Sequence, residues 1–181
     1  ILSMDVEEEQ SIESCFNSLL QKKIKLDLLY NNAGIIDWDN LNEVSASSTE
    51  KIYKVNLIGA LLVTRHAIPC LKNSADPVIV NLSSRLGSIE IRGETQLGGA
   101  IAYQCSKAAL NMLTKQSAID LHKHKIRVIS QSPGWVKTDM GGKDAKYEIK
   151  DAVTKMIQSL LKMKSDQTGI FIGEDGDLIP W

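Results

Sequence analysis

Tyr103 and Lys107 lie four positions apart in the segment Tyr-Gln-Cys-Ser-Lys. On a helix, two residues at this spacing project from the same face, one turn apart. A nearby ammonium favours the phenolate, so the pair predicts a tyrosine pKa lowered from about 10 towards neutrality. Such a phenol is suited to proton transfer near pH 7. An isolated pair of this kind is more typical of a solvated helix face, so its interpretation depends on the rest of the chain.

Three short apolar segments predict buried strands that end in small or polar residues. They cover residues 26–30, 78–82 and 126–130 and are rich in Leu, Ile and Val. The residues that follow them are Asn31-Asn32-Ala33-Gly34, Ser83-Ser84 and Ser132-Pro133-Gly134-Trp135. In a parallel sheet, ligands bind at the carboxyl ends of the strands, where these residues would gather.

Helical patterns separate the predicted strands and indicate a single α/β domain over residues 1–181. The predicted helices cover residues 7–23, 49–72, 101–122 and 147–162, and a last short strand covers residues 169–173. Long helical connections imply right-handed crossovers and therefore parallel strands. Residues 85–100 contain several glycines and have neither helical nor strand periodicity, so we predict an irregular segment there.

Five motifs occur in the same order as in one family of enzymes. They are Asn31-Asn32-Ala33-Gly34, Lys54-Val55-Asn56, Ser83-Ser84, Tyr103-Gln-Cys-Ser-Lys107 and Pro133-Gly134-Trp135-Val136-Lys-Thr138. Together they resemble the short-chain dehydrogenases/reductases, over nearly the whole chain. The segment from Pro133 and the end Gly-Glu-Asp-Gly-Asp-Leu-Ile-Pro-Trp are most similar to the carbonyl-reductase branch that includes sniffer and the bacterial C-factor proteins. The resemblance implies a Rossmann-type doubly wound parallel sheet and NAD(P)(H)-dependent reduction of an aldehyde or ketone, or the reverse oxidation.

The resemblance assigns a catalytic role to four residues. Tyr103 would be the general acid or base, and Lys107 would lower its pKa and hydrogen-bond the nicotinamide ribose. Ser84, the second serine of its pair, would polarise the substrate carbonyl. Asn56 would anchor a water that relays protons to Lys107. Taken alone, Asn56 is better explained as a polar residue bonded to a nearby carbonyl group.

A further set of residues would bind the cofactor, for which the resemblance favours NADP(H) slightly over NAD(H). They are Asp5, Val6, Asn31, Ala33, Gly34, Tyr103, Lys107, Pro133, Gly134, Val136 and Thr138. Asp5 and Val6 would border the adenine, and Val136 would offer backbone groups to the carboxamide. For Thr138 there is an equal alternative, because a threonine followed by an aspartate is also typical of a helix N-cap.

The chain departs from the family pattern at two points. Nineteen positions separate Ser84 from Tyr103, a long spacing that fits an insertion beside the substrate pocket in the carbonyl-reductase branch. No Thr-Gly-x-x-x-Gly-x-Gly turn, which in the family holds the cofactor pyrophosphate at a helix N-terminus, occurs in the 181 residues. We therefore expect an N-terminally truncated domain that lacks the first two strands and helices.

The strand order implied by the resemblance makes this expectation specific. The remnant should be a four-stranded parallel sheet in which the strand at residues 26–30 lies at an edge. Residues 1–6 should find no partner in that sheet. An apolar, uncovered edge pairs readily with other chains, so we expect the chain to aggregate or dimerise through this strand when it is expressed alone.

Composition excludes several classes of partner. The formal net charge of −1 offers no basic field for nucleic acid, and no apolar run is long enough for a membrane span. Three well-separated cysteines suit free thiols in a reducing compartment, which predicts a cytoplasmic protein. His122 and His124 have no thiol or carboxylate cluster near them in the sequence, so no metal site is predicted.

Three hypotheses for function follow. The first is a carbonyl reductase that acts on a small molecule, as a monomer or homodimer when complete. The second is a non-catalytic relative with the same fold, which binds a nucleotide or a partner. The third is an inactive fragment. All four residue types of the catalytic set are present, which favours an enzyme over a binding module but does not separate the first hypothesis from the third.

Overall fold

The computed structural model describes residues 1–93 and 98–181, which form five α-helices, four strands and three short helices of other types. The α-helices are α1 (Glu9–Gln21), α2 (Ala46–Tyr53), α3 (Ala60–Leu71), α4 (Ile101–Leu121) and α5 (Ile149–Leu161). The strands are β1 (Leu28–Asn31), β2 (Val78–Leu82), β3 (Arg127–Gln131) and β4 (Phe171–Ile172). A π-helix covers Lys54–Gly59, and 3₁₀ turns cover Arg85–Gly87 and His122–His124.

The four strands form one parallel sheet in the order β1-β2-β3-β4. In the register of this sheet, Tyr30 lies opposite Val80, and Val80 lies opposite Ile129. The predicted parallel α/β fold is therefore confirmed, with β1 at an edge. Residues 1–6 belong to none of these strands, as predicted.

Side chains alternate between two apolar layers, one on each face of the sheet. Ile79 of β2 packs with α1, α3 and α4, in a cluster that includes Phe16, Ala67 and Leu121. The next residue, Val80, packs on the opposite face with Ile129 and with Leu160 of α5. β2 is buried on both faces because helices cover both, which explains its continuous run of apolar residues.

The helix predicted over residues 49–72 is interrupted. α2 begins at residue 46, and six residues of π-helix, Lys54–Gly59, separate it from α3. Gly59 is in close contact with the N-terminal segment, since a Cβ there would lie 2.9 Å from the carbonyl oxygen of Val6. Short π-helical stretches are frequent at functional sites, and this one contains Asn56.

Other boundaries shift by a few residues from the predictions. β1 begins at Leu28 rather than Leu26, and β4 is limited to Phe171 and Ile172. The predicted irregular segment at residues 85–100 begins with the 3₁₀ turn and continues in turns as far as residue 93. Residues 94–97 lie outside the described part of the chain, so the interior of the predicted insertion is not described.

Candidate active site

A cavity of about 740 Å³ opens at the carboxyl ends of β1, β2 and β3. Its wall includes Ser84 and Tyr103 together with several predicted cofactor-binding residues, namely Gly34, Pro133, Gly134, Val136 and Thr138. Residues that are far apart in the chain thus meet at the edge of the sheet where ligands bind in open α/β folds.

Tyr103 lies in the first turn of α4, where it is almost fully buried but reaches the cavity wall. Burial raises the pKa of its phenol above the ordinary value, and the Ser84 side chain acts in the opposite direction. The predicted shift of this pKa from about 10 towards neutrality is therefore wrong in direction. The physical reason is that desolvation of the phenol outweighs the polar contacts around it.

The ammonium of Lys107 faces the sheet, and its predicted bond to the nicotinamide ribose stays a prediction. The Nζ atom donates a 2.7 Å hydrogen bond to the backbone carbonyl of Leu82 and lies 5.6 Å from the centre of the Tyr103 ring. Burial lowers the pKa of Lys107 to about 8, since a desolvated ammonium is disfavoured. The amine is therefore close to its titration point under ordinary conditions.

Ser84 begins the 3₁₀ turn that follows β2, and its hydroxyl accepts a 3.2 Å hydrogen bond from the backbone amide of Leu86. Its neighbour Ser83 also lines the cavity, but its hydroxyl donates a 2.7 Å hydrogen bond to the side-chain oxygen of Asn111. The two serines therefore differ in role: Ser83 ties the end of β2 to α4, and Ser84 is directed to the tyrosine.

Gly87 fixes the distance between the serine turn and α4. A Cβ at this position would lie 2.7 Å from the Cβ of Lys107 and 2.8 Å from its carbonyl carbon. The side-chain amide of Asn111 donates to the Gly87 carbonyl at 3.2 Å. Only a glycine allows this approach, which brings Ser84 close to Tyr103 despite the long spacing between them in the sequence.

Asn56 is fully buried and uses its whole amide group within the protein. It accepts from the backbone amide of Ile35 at 2.8 Å and donates to the carbonyl of the same residue at 2.9 Å. It also donates to the hydroxyl of Ser106 at 3.0 Å, and Ser106 in turn donates to the carbonyl of Tyr103 at 2.7 Å. Asn56 therefore connects the loop after β1 to the turn that contains the tyrosine.

The backbone of Asn31 is predicted to line the adenosine side of the cofactor site, and its side chain participates in a buried chain of hydrogen bonds. Its amide donates to Asn81 at 2.7 Å and to Thr64 of α3 at 3.0 Å. Asn81 donates to Thr114 of α4 at 2.8 Å, and Thr114 lies 2.8 Å from the hydroxyl of Ser130. This chain joins the ends of β1, β2 and β3 and links the sheet to both helices.

The other predicted residues near β1 fall into two places. Gly34 lies beside the catalytic set, since a Cβ there would be 3.5 Å from both Asn56 Oδ1 and Lys107 Nζ. Val6 and Ala33 line a second, smaller cavity of about 150 Å³. The carboxylate of Asp5 accepts a 2.9 Å hydrogen bond from the amide of Glu7 and begins the turn before α1.

The loop after β3 forms the wall opposite Tyr103. Gly134 has a φ of +75°, a conformation that favours glycine. Val136 pairs with Tyr147 in an isolated parallel bridge. Thr138 begins no helix, contrary to the alternative of an N-cap; its hydroxyl accepts from the amide of Gly141 at 3.0 Å and stabilises a turn.

Sequence analysis did not identify the apolar residues that complete the cavity. Those in the loop after β1 are Ile35, Ile36 and Trp38, and those in the loop after β3 are Trp135 and Met140. The remaining four, Ile149, Ala152, Val153 and Met156, belong to α5. Trp38, Trp135 and Ile149 are each more than half exposed. The exposed apolar positions of α5 could have been a signal, because an amphipathic helix normally buries one apolar face.

Metal and membrane sites are not found in the part of the chain that the structure describes. Residues 1–93 and 98–181 contain no group of three or more His, Cys, Asp or Glu side chains that could hold a metal ion. No helix within those ranges is both long and apolar enough to cross a membrane. All three cysteines are free.

The chain matches known proteins in sequence and in structure. The model of the short chain dehydrogenase family matches residues 1–148. The C-signal protein of Myxococcus xanthus is 34% identical over 157 residues, which cover 86% of this chain and 93% of that protein. The range that the family model matches spans the positions of all four residues of the predicted catalytic set.

Two solved structures superpose over the whole chain. The NADPH-bound carbonyl reductase from chicken fatty liver has a TM-score of 0.94 and 33% identity, and the match covers 100% of this chain and 77% of that one. Carbonyl reductase Sniffer of D. melanogaster has a TM-score of 0.92 and 31% identity, with the same coverage. The Rossmann-like architecture is therefore shared over every described element of the chain.

Proposed function

The chain belongs to the short-chain dehydrogenase family, and from this premise we propose that it is the oxidoreductase domain of an NAD(P)(H)-dependent carbonyl reductase. The observation that carries the proposal is the convergence of Ser84 and Tyr103 on one cavity, with Lys107 buried behind the tyrosine. The substrate would be a small aldehyde or ketone, or the corresponding alcohol, and the protein would act in the cytoplasm.

The residues of this chain would handle the proton. In the reductive direction, the hydroxyl of Ser84 would donate a hydrogen bond to the substrate carbonyl oxygen, and Tyr103 would transfer its phenolic proton to that oxygen. The raised pKa of Tyr103 keeps the phenol protonated before reaction. In the oxidative direction the same tyrosine would accept the alcohol proton.

The cavity would hold part of a nicotinamide cofactor, without the glycine-rich turn that binds the pyrophosphate in the resembling family. It extends from Asn32 and Gly34 past Tyr103 to the loop that contains Val136 and Thr138, and its volume of about 740 Å³ lies in the range of small-molecule sites. When bound, the cofactor supplies the hydride. Gly34 would admit it close to the backbone, while Val136, Thr138 and the backbone at Pro133 and Gly134 would hold its other end.

Lys107 would keep the phenol in its working state. With a pKa of about 8, its amine can gain or lose a proton near neutrality, so it would resupply Tyr103 after each transfer. Asn56 would assist by holding the tyrosine turn through Ser106 rather than by presenting free polar atoms, because its amide is fully hydrogen-bonded. A water relay through Asn56 would use the carbonyl groups around it.

Substitution of Tyr103 by Phe tests the proposal. We expect Tyr103→Phe to lower kcat for reduction of an aromatic aldehyde by NADPH by at least about a thousandfold, because the lost proton is needed only in the transition state. Its Kd for NADPH should change less than about threefold. Tyr53→Phe is the matched control, since Tyr53 is half-buried on α2 and does not line the cavity.

The two measurements also separate the alternatives. A protein that binds NADPH but reduces no aldehyde or ketone would be a binding module. Activity of Tyr103→Phe within tenfold of the parent would remove the tyrosine from its proposed role.

A further inference from the structure

The C-terminal residues 173–181 fold back beside β4, where Leu178 pairs with Ile172 in an antiparallel bridge, and touch the segment that contains Ser84. The amide of Ile179 donates to the carbonyl of Phe171 at 2.8 Å, and the ring of Trp181 stacks on that of Phe171 with centroids 5.8 Å apart. From this position two backbone carbonyl groups of the tail accept hydrogen bonds from the serine segment. The hydroxyl of Ser88 donates to the carbonyl of Pro180 at 2.6 Å, and the amide of Glu90 donates to the carbonyl of Trp181 at 3.0 Å.

A third contact is an ion pair that involves a buried carboxylate. Glu174 is 6% exposed, and its Oε2 atom accepts from the guanidinium of Arg85 at 3.2 Å. Arg85 directly follows Ser84 and belongs to the same 3₁₀ turn. Its guanidinium also lies against the backbone of Gly173, where a Cβ would be only 2.6 Å from Nη2.

The same carboxylate contacts the loop on the opposite wall of the cavity. A Cβ on Gly134 would lie 2.9 Å from the carboxyl carbon of Glu174 and 3.0 Å from Oε1. Gly134 therefore packs directly on this group, and its positive φ and lack of a side chain permit the contact. One buried side chain thus touches both the turn after Ser84 and the loop after β3.

We propose that Glu174 is a positioning residue for the reductase reaction. Its carboxylate couples the Ser84 turn, through Arg85, to the Gly134 loop. The inference rests on the proposed function for its catalytic consequence but not for the coupling itself. Buried charges are costly unless they are paired, and this one is paired with a residue adjacent to the catalytic serine. Small displacements of a catalytic group lower the rate strongly, so a fixed distance between the two walls matters for turnover more than for binding.

Glu174→Gln tests the coupling, because it keeps the shape and removes the charge. Arg85 is about half exposed, so its guanidinium remains solvated and the variant should fold. Asp175→Asn is the matched control: it is the next residue of the tail and its salt bridge is with Lys155 of α5 at 2.7 Å, whereas Arg85 is the weakest of the charges that act on it. Both variants would be compared with Arg85→Gln and with the double variant Arg85→Gln/Glu174→Gln.

The first readout is amide hydrogen exchange, which needs no activity. Glu174→Gln should speed exchange by about tenfold or more in both residues 85–90 and residues 133–136, with helices α1 and α3 unchanged. Asp175→Asn should alter neither segment. Unchanged exchange in residues 133–136 of Glu174→Gln, or equal acceleration throughout the chain, would overturn the coupling.

The second readout is kinetic. Glu174→Gln and Arg85→Gln should each lower kcat about tenfold with KM changed less than twofold, and the double variant should be no slower than either single variant. Additive losses, or a change in KM alone, would refute the positioning role. A parent protein that reduces no carbonyl compound would disprove the proposed function and the catalytic part of the inference, whereas the exchange result would still decide the coupling.

Discussion

The two sides of the cavity are built differently. At the end of β2, side chains cross-link the site to α4: Lys107 to the Leu82 carbonyl, Ser83 to Asn111, and Asn111 to Gly87. At the end of β1, the groups that would contact a cofactor are backbone groups of Ala33 and Gly34. They lie beside β1, an edge strand that pairs only with β2 among the described strands. The proton-transfer side is therefore fixed to α4 by side chains of the site itself. On the β1 side, the side-chain bonds of Asn31 and Asn56 hold the strand and its loop in place and leave the backbone groups of Ala33 and Gly34 open to close approach.

This difference indicates which function each side can perform without help. A proton donor must be positioned before the reaction, since reorganisation during the transition state costs rate. A nucleotide site can be formed by backbone groups that a ligand contacts as it binds. Variants on the proton-transfer side should therefore affect turnover and stability together. Variants at β1 should affect association, either with a nucleotide or with a second chain.

The largest effect is expected for Gly87→Ala, which would disrupt the proton-transfer side. The added methyl group would overlap the backbone of α4 at Lys107, so the serine turn must move away from Tyr103. We expect about 1–3 kcal/mol less free energy of unfolding and a fall in kcat of at least about tenfold. Denaturant melts and initial rates measure the two effects. Gly98→Ala is the control, because no atom of the described residues lies within 4 Å of a Cβ there; equal behaviour of both variants would contradict the packing argument.

An intermediate effect is expected for Lys107→Met, and it should depend on pH. The pKa of Lys107 falls from an ordinary 10.5 to about 8 on folding, so the unfolded chain binds more protons between these values and stability rises with pH across that window. Below pH 8 the folded chain carries the full cost of the buried ammonium. The methionine variant lacks this term, so its stability relative to the parent should fall by about 2 kcal/mol between pH 7.5 and pH 9.5.

Urea melts of parent and variant at several pH values would measure this difference, since other titrating groups contribute equally to both proteins. The exposed Lys143 offers a control: Lys143→Met should follow the parent at every pH. Parallel stability curves for Lys107→Met and the parent would show that the ammonium is not desolvated as the structure indicates.

The smallest effect on stability, and a distinct one on association, is expected at β1. Leu28 is half exposed on this edge strand, and a lysine there would discourage pairing with a second chain. Leu28→Lys should change the free energy of unfolding by less than about 0.5 kcal/mol and shift sedimentation towards the monomer. Leu161→Lys, at the exposed end of α5, should leave association unchanged. If the parent protein is already a monomer, the β1 edge does not drive association of two chains.

The fold could be predicted well because its signals are local. The run Val78–Leu82 is β-branched and apolar, lies between helical patterns, and forms β2 with the predicted boundaries. The edge position of β1 followed from strand order in the resembling family. The π-helix at Lys54–Gly59 could not be predicted, because it depends on contacts of Asn56 and Gly59 with distant parts of the chain.

The site was predicted in its residue types better than in its contacts. Ser84 and Tyr103 meet at the cavity, but the direction of the tyrosine pKa depends on burial, which a motif does not encode. The side chain of Asn31 forms bonds across the sheet because its neighbours in register are also polar. The role of Glu174 could not be predicted, because it depends on contacts with Arg85 and Gly134, which are distant in the sequence.

The π-helix has a consequence for how the chain tolerates changes in length. A π-turn contains one residue more than an α-turn, and each residue of an α-helix advances its face by about 100°. Deletion of a single residue within Lys54–Gly59 would remove this extra residue and allow a regular α-helix with the flanking turns in their present phase, so Ile52 and Val63 would stay in the apolar interior. The backbone around position 56 would change, and with it the two bonds of Asn56 to Ile35. The segment should accordingly tolerate the loss of one residue in its packing but not in the geometry of the site.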